Sequence, residues 1–272
     1  MHWYKLHVSY DGTEYHGWQM QDNVPTITSA LLKSFARTFQ RPMSLVGASR
    51  TDTGVHAYDQ VVRCRTELLI DPQELCIVWN RALPPEITIR RVEVADTSFH
   101  PQLHVLQKTY WYHLFLSRPL PFLARYGWWY DRTIDVEKLK ACLAYAVGTQ
   151  DFRSFCTGDG HTSTTRTIDS IEVRYIPRYN VLRIEVRGRS FLHRMIRRLV
   201  GGAVWIASHR MMEPALFEKT LTACNPLHTL PTAPAHGLLL RKIKYGTRTE
   251  EEIYERELAT AQECLELARG SE

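Results

Sequence analysis

Polar and apolar residues alternate at the start of the chain. Lys5-Leu6-His7-Val8-Ser9-Tyr10 reads as a half-buried strand, and Asp11-Gly12 supplies turn chemistry after it. A period near four then takes over. Ile27, Leu31, Phe35 and Phe39 form the apolar stripe of a helix that Thr26 can cap and that Arg41-Pro42 ends. Residues 44–48 and 60–64 read as strands on either side of the polar run 49–54, which is therefore a loop or a strand edge. Asp71 and Pro72 open a second helix as N-cap and first residue, with Leu75, Trp79 and Leu83 inward and Pro84-Pro85 as the stop. Residues 87–94 return as a strand.

After Phe99-His100-Pro101 the alternation begins again. It predicts a strand over 109–116, a helix over 136–147, strands over 168–176 and 181–186, a helix over 194–207 and a last strand over 238–245. The class is α+β, in two halves whose antiparallel-type strands have helices to cover one sheet face and leave the other for a ligand or the partner half. The boundary falls near residue 105. This gives an N-terminal domain of 1–105, a C-terminal domain of 106–246 and an acidic helical tail of 247–272, in which Ile253, Leu258, Ala261, Leu265 and Ala268 make an apolar stripe on a solvated surface helix.

Composition narrows the class. With 272 residues and 44% hydrophobic content, the chain can bury a substantial core. No stretch approaches the roughly 18 apolar residues of a membrane span, and Met1-His2-Trp3-Tyr4-Lys5 leads into alternation rather than a signal sequence. We expect a cytoplasmic protein with no membrane association. The six cysteines are scattered without a Cys-x-x-Cys pair, which argues for reduced structural thiols and against a metal site. Net charge is +5, but residues 250–272 hold eight Glu and two Arg, so the tail at −6 leaves +11 on residues 1–249. A basic body is a weak pointer to a polyanionic partner.

Candidate chemistry concentrates in Gly47-Ala48-Ser49-Arg50-Thr51-Asp52-Thr53-Gly54-Val55-His56-Ala57. Its small residues let the backbone approach a substrate. Arg50 and Asp52, two apart on an extended chain, project to one side. On these features alone a surface ion pair beside a tight turn is the better reading. The run, however, resembles the signature G-A-G-R-T-D-A-G-V-H-A of the TruA family of tRNA pseudouridine synthases, with Ser49 replacing a glycine and Thr53 an alanine. Tyr15-His16-Gly17-Trp18-Gln19-Met20-Gln21 is similar to that family's F-x-G-W-Q-x-Q segment, and Lys108-Thr109-Tyr110-Trp111-Tyr112 to its K-x-Y-x-Y strand. Phe191 to Gly201 resembles F-x-x-x-M-V-R-N-I-V-G, and Ala233-Pro234-Ala235-His236-Gly237-Leu238 resembles A-P-A-x-G-L. The matches run from about residue 4 to 245. Gln102, where the family often has arginine, and Thr28, where it has Gln or Glu, depart from the pattern.

The resemblance implies two ferredoxin-like or RNA-recognition-like halves joined across a central basic cleft. It also implies isomerisation of uridine to pseudouridine in the anticodon arm of tRNA, at nucleotides 38 to 40, by a homodimer. Asp52 would be the catalytic carboxylate, adding to C6 of the uracil, attacking C1′ of the ribose or assisting a glycal route. Each route breaks the N1–C1′ bond and joins C5 to C1′, without redox change or phosphate transfer, so no cofactor and no metal are expected. Arg197 would be its guanidinium partner, since a nearby cation favours an ionised carboxylate. Tyr110 would stack on the target base and handle a proton at C5. Arg50, His56, Arg194, Arg198 and Gln19 are candidates for RNA contact. Rival readings are a catalytically silent tRNA-binding protein or RNA chaperone on the same scaffold, and a nucleoside glycosidase, for which no second carboxylate is evident beside Asp52.

Overall fold

A computed structural model describes residues 1–158, 163–227 and 229–246. In chain order its elements are β1 (His2–Tyr10), α1 (Ile27–Phe39), β2 (Met43–Gly47), β3 (His56–Thr66), α2 (Pro72–Asn80), β4 (Ile87–Val94), β5 (Val105–Phe115), β6 (Trp128–Trp129), α3 (Val136–Ala144), β7 (Gly148–Asp151), β8 (Thr165–Ile176), β9 (Val181–Gly188), α4 (Met195–Ser208), α5 (Ala215–Thr222) and β10 (Leu238–Tyr245). The class is α+β. Two compact units emerge, one made of Met1–Val105 with Leu239–Tyr245, the other built on Leu106–Leu238. The acidic helix expected at the C-terminus lies outside the described residues. No described helix is long and apolar enough to cross a membrane.

In the first unit β1 pairs antiparallel with β3 on one side and β4 on the other. The far edge of β3 is shared. β2 takes its second half, Val62 to Thr66, leaving His56 and Ala57 for a short parallel pairing with β10. Alternation along β1 has the predicted consequence: Tyr4, Leu6, Val8 and Tyr10 are buried, while Trp3, Lys5, His7 and Ser9 are half-buried on the opposite face.

Thr26 caps α1 through a reciprocal box with Ser29, and Ile27, Leu31 and Phe35 are buried. The helix stops at Gln40, whose left-handed backbone (φ 53°) ends it one residue before the expected Arg41-Pro42. Asp71 accepts hydrogen bonds from the backbone N–H groups of Gln73 and Glu74 to cap α2. Trp79 joins the two helices, packing edge-on to Phe35 at 5.0 Å and donating its indole N–H to Ser34 Oγ at 2.9 Å. Truncating either ring to alanine should cost about 3–5 kcal/mol.

The second unit has the antiparallel order β5-β9-β8-β7, with β6 parallel to the end of β5. Tyr112, Leu114, Leu182, Ile184 and Val186 are buried, and α3 packs against α4 and β8. Several bounds differ from the sequence expectation. β5 starts earlier, at Val105, and α3 ends at Ala144. β6, β7 and α5 had no clear periodicity: the strands are two and four residues long, and α5 buries only Phe217 and Leu221.

Candidate active site

The segment from Ala48 to Val55 connects β2 to β3 and carries Asp52. Its ends are tied to β3. Ala48 N–H donates to Val61 O, and the buried Gln60 amide substitutes for a strand partner, accepting from Ser49 N at 3.1 Å and donating to Ser49 O at 2.6 Å. The middle is tied to the segment after β1: Trp18 N–H donates to Thr51 O, and Tyr10 OH lies 2.8 Å from Thr51 Oγ1. A turn closes at Asp52, whose carbonyl accepts from Val55 N–H at 3.1 Å, with Gly54 at φ 77° as a type II turn requires. The Asp52 side chain is half-buried.

Two glycines make this packing possible. Gly17 has φ +83°, and a Cβ there would overlap Thr51 O, while a Cβ at Gly12 would overlap Val55 O. Backbone lies directly on backbone, so the position of Asp52 is set by main-chain geometry more than by the side chains around it. Gln102 donates from Nε2 to Gly47 O at 2.9 Å and so anchors the base of the loop in place of an arginine.

The flanking candidates separate by exposure. Arg50, His16 and Gln19 are exposed. His56 is 4% exposed, and its Nδ1 lies 3.1 Å from both Gly12 N and Asp11 Oδ1, so it braces the turn after β1.

In the second unit Tyr110 and Tyr112 point to the buried face of β5. Tyr110 is 5% exposed and meets Phe191 edge-on at 5.3 Å. Tyr112 donates its hydroxyl to Pro234 O at 3.0 Å, and a Cβ on Gly237 would strike its ring. Burial pushes the Tyr112 hydroxyl well above its ordinary value, with the Arg197 charge pulling the other way, so it remains a neutral donor. Trp111, on the opposite face, donates its indole N–H to Glu185 and carries the Arg183 guanidinium 3.8 Å from its ring.

Arg197 lies in the first turn of α4 and is clasped to Ala233. Its Nε donates to Ala233 O at 2.9 Å, and its own carbonyl accepts from Ala233 N–H at 2.9 Å. One turn on, a Cβ at Gly201 would overlap Pro231 O, so that glycine lets the 231–233 segment lie flat on the helix. Arg197 and Tyr112 thereby engage the consecutive carbonyls of Ala233 and Pro234. Arg194 is exposed at the start of α4 with φ 60°. Arg198 is 8% exposed and donates to Cys156 O at 3.2 Å and Pro226 O at 2.8 Å. It ties together loops on either side of the helix.

The comparisons with known proteins converge. A family model described as tRNA pseudouridine synthase matches residues 142–246. The tRNA pseudouridine synthase A 1 of Protochlamydia amoebophila (strain UWE25) is 35% identical over 251 residues, covering 90% of this chain and 97% of that protein. This chain belongs to the tRNA pseudouridine synthase family. The tRNA pseudouridine synthase A of Thermoanaerobacter sp. (strain X514) is 33% identical over 241 residues, covering 88% of this chain and 97% of its own length. That of Pseudothermotoga lettingae is 34% identical over 240 residues, again with 88% and 97% covered.

For a tRNA pseudouridine synthase, the residues missed by reasoning on side-chain chemistry are those that hold the candidate segments in place. Gly17, Gln60, Gln102, Gly201 and Ala233 carry no reactive group. The signal for Gly17, Gly201 and Ala233 was present only as small residues within the segments Tyr15 to Gln21, Phe191 to Gly201 and Ala233 to Leu238, Gln102 stood out only as a departure from the family pattern, and Gln60 gave no local signal.

Proposed function

We propose that this enzyme isomerises uridine to pseudouridine in the anticodon arm of tRNA, at nucleotides 38 to 40, with Asp52 as the catalytic carboxylate. The observation that carries the reading is the loop of Asp52: a half-buried carboxylate on a backbone immobilised by Gly17, Gly54 and the Gln60 amide, in a chain of this family. A nucleophilic or assisting carboxylate gains from such immobility because the geometry is set before the substrate arrives. In this reading Arg197 is the guanidinium partner of the reaction, and Tyr110 stacks on the extruded base, an interaction worth about 1–3 kcal/mol. The target nucleotide leaves its stack at a cost of a few kcal/mol. Arg50, His56, Arg194, Arg198 and Gln19 are the candidates for RNA contact, of which Arg50, Arg194 and Gln19 are exposed. Each unit acts as a ferredoxin-like half, and neither a metal nor a cofactor takes part.

We also infer a homodimer acting in the cytoplasm. Leu120, Phe122, Trp129, Tyr175 and Tyr179 are exposed in the second unit, and Asn180, which donates to Ser117 Oγ and accepts from Tyr175 OH, links their segments. Aromatic residues are enriched at protein interfaces, which supports self-association. Sedimentation that gives a monomer at micromolar concentration would overturn this.

The activity is tested with tRNA carrying tritium at C5 of uridine. Wild-type protein should release tritium and Asp52→Ala should not. Tight binding without release by wild type would make the protein a silent RNA binder, and turnover of free uridine would make it a hydrolase.

A further inference from the structure

On the half-buried face of β1, Trp3 sits opposite Arg65 of β3, and Lys5 opposite Arg63. The indole of Trp3 receives both arginines, with the Arg63 guanidinium carbon 4.7 Å and that of Arg65 5.3 Å from its ring centre. Each distance is within the cation–π range. Arg63 directs one N–H to Phe99 O at 2.9 Å. Among the described residues neither arginine is ion-paired with a carboxylate, and Arg65, which is exposed, makes no hydrogen bond to protein. The ring therefore gathers two like charges side by side, Arg63 half-exposed and Arg65 exposed. Stacking holds a guanidinium plane without using its donors, which is the arrangement suited to a bidentate grip on phosphate oxygens.

We propose that Trp3, Arg63 and Arg65 form a second docking point for the phosphate backbone of tRNA, remote from the reacting nucleotide. The proposal rests on tRNA being the substrate. Its position follows from strand geometry. β3 begins at His56, just after the Asp52 loop, and Arg65 lies nine residues further, about 30 Å along an extended strand. A polyanion is the occupant that the charge favours: two unneutralised cations repel each other until an anion lies across them, and they are two residues apart on one strand face, a spacing comparable to that of successive phosphates. The contact reads the backbone and carries no sequence preference. It reaches a part of the tRNA beyond the arm that bears the target.

The test compares wild type with the double variant Arg63→Gln/Arg65→Gln, using full-length unmodified tRNA and the excised anticodon arm as probes, with Kd measured across a salt series. For full-length tRNA the double variant should bind about 10-fold more weakly near 0.1 M salt, and the slope of log K against log salt should become shallower by about 1–2. Binding of the excised arm and the single-turnover rate at saturating tRNA should match wild type. Arg63→Lys/Arg65→Lys should recover most of the slope but less of the affinity. An unchanged slope on full-length tRNA, an equal loss on the excised arm, or a lowered saturating rate would each overturn the proposal. Tritium release by wild type, run in parallel, decides separately whether the proposed activity stands.

Discussion

The loop of Asp52 and the pair Tyr110 and Arg197 are held by different means. Around Asp52 the backbone holds itself: Trp18 N–H on Thr51 O, Gly54 N–H on Tyr15 O, and two glycines where main chains touch. Around Tyr110 and Arg197 the work is done by packing and by one returning segment, with Phe191 against the ring and Ala233 against the guanidinium. A side chain on an immobilised backbone can be replaced with little effect on the scaffold, whereas a side chain that is itself a structural contact changes both scaffold and chemistry when replaced. The first unit should therefore separate function from stability cleanly, and the second should not.

The largest effect tests this separation directly. Asp52→Asn should lower tritium release to background while leaving the thermal midpoint within about 2 °C, because the turn uses the Asp52 main-chain oxygen. A midpoint that falls with activity would show that the side chain is structural after all. Gly17→Ala is the complement. It forces a left-handed backbone on an L-residue and drives a Cβ into Thr51 O, so it should cost on the order of 2–3 kcal/mol in denaturant unfolding and lose activity along with it.

In the second unit Arg197→Lys keeps the charge but not the directed Nε–H bond to Ala233 O. The rate should fall about 10²-fold with a loss of about 1 kcal/mol in stability, and full activity in this variant would reduce Arg197 to a source of charge alone. Tyr110→Phe retains the edge-on contact with Phe191, so tRNA affinity should stay within about 3-fold while kcat drops if the hydroxyl handles a proton. An unchanged kcat would leave Tyr110 as a stacking ring.

The smallest effect concerns pH. Lys108, two residues before Tyr110 on β5, has its amine pushed by burial from 10.5 down to about 8. Its folded value lies below its unfolded one, so between about pH 8 and 10.5 the unfolded chain binds more protons and stability attributable to this group rises with pH. Below about pH 8 the amine is charged in both states and the burial penalty is fully present. Lys108→Met should flatten that segment of the stability profile measured by denaturant titration, and an unaltered profile would mean that the amine is not enclosed.

Much of the scaffold was legible in the chain because its signals are local. Thr26 and Asp71 announced the starts of α1 and α2 through side-chain oxygens three residues or fewer from the N–H groups they satisfy, and alternation from Lys5 to Tyr10 announced the buried face of β1. β6, β7 and α5 were missed because two to eight residues are too few to establish a period. Motif resemblance is what singled out Asp52, Tyr110 and Arg197 as candidates. The tasks of neighbours within the same motifs were not legible: Arg194, Arg197 and Arg198 are three arginines in one short run, yet one is exposed, one is clasped by Ala233 and one is buried on Cys156 O and Pro226 O.

The sequence by itself determined where the longer helices and strands lie and which residues face inward along them, since both depend on residue type and short-range spacing, while the candidate site residues came from motif resemblance rather than from spacing. Only the tertiary structure decided that His56 is a buried brace, that Gln102 holds the base of the Asp52 loop, and that among the described residues the arginines beside Trp3 have no carboxylate partners while Arg187 of β9 pairs with Glu172 of β8. The reason is the range of the interactions. A charge or polar group acquires its task from whichever group the fold brings within about 3 Å, and in these cases, apart from neighbours on adjoining strands, that group lies tens of residues away in the chain.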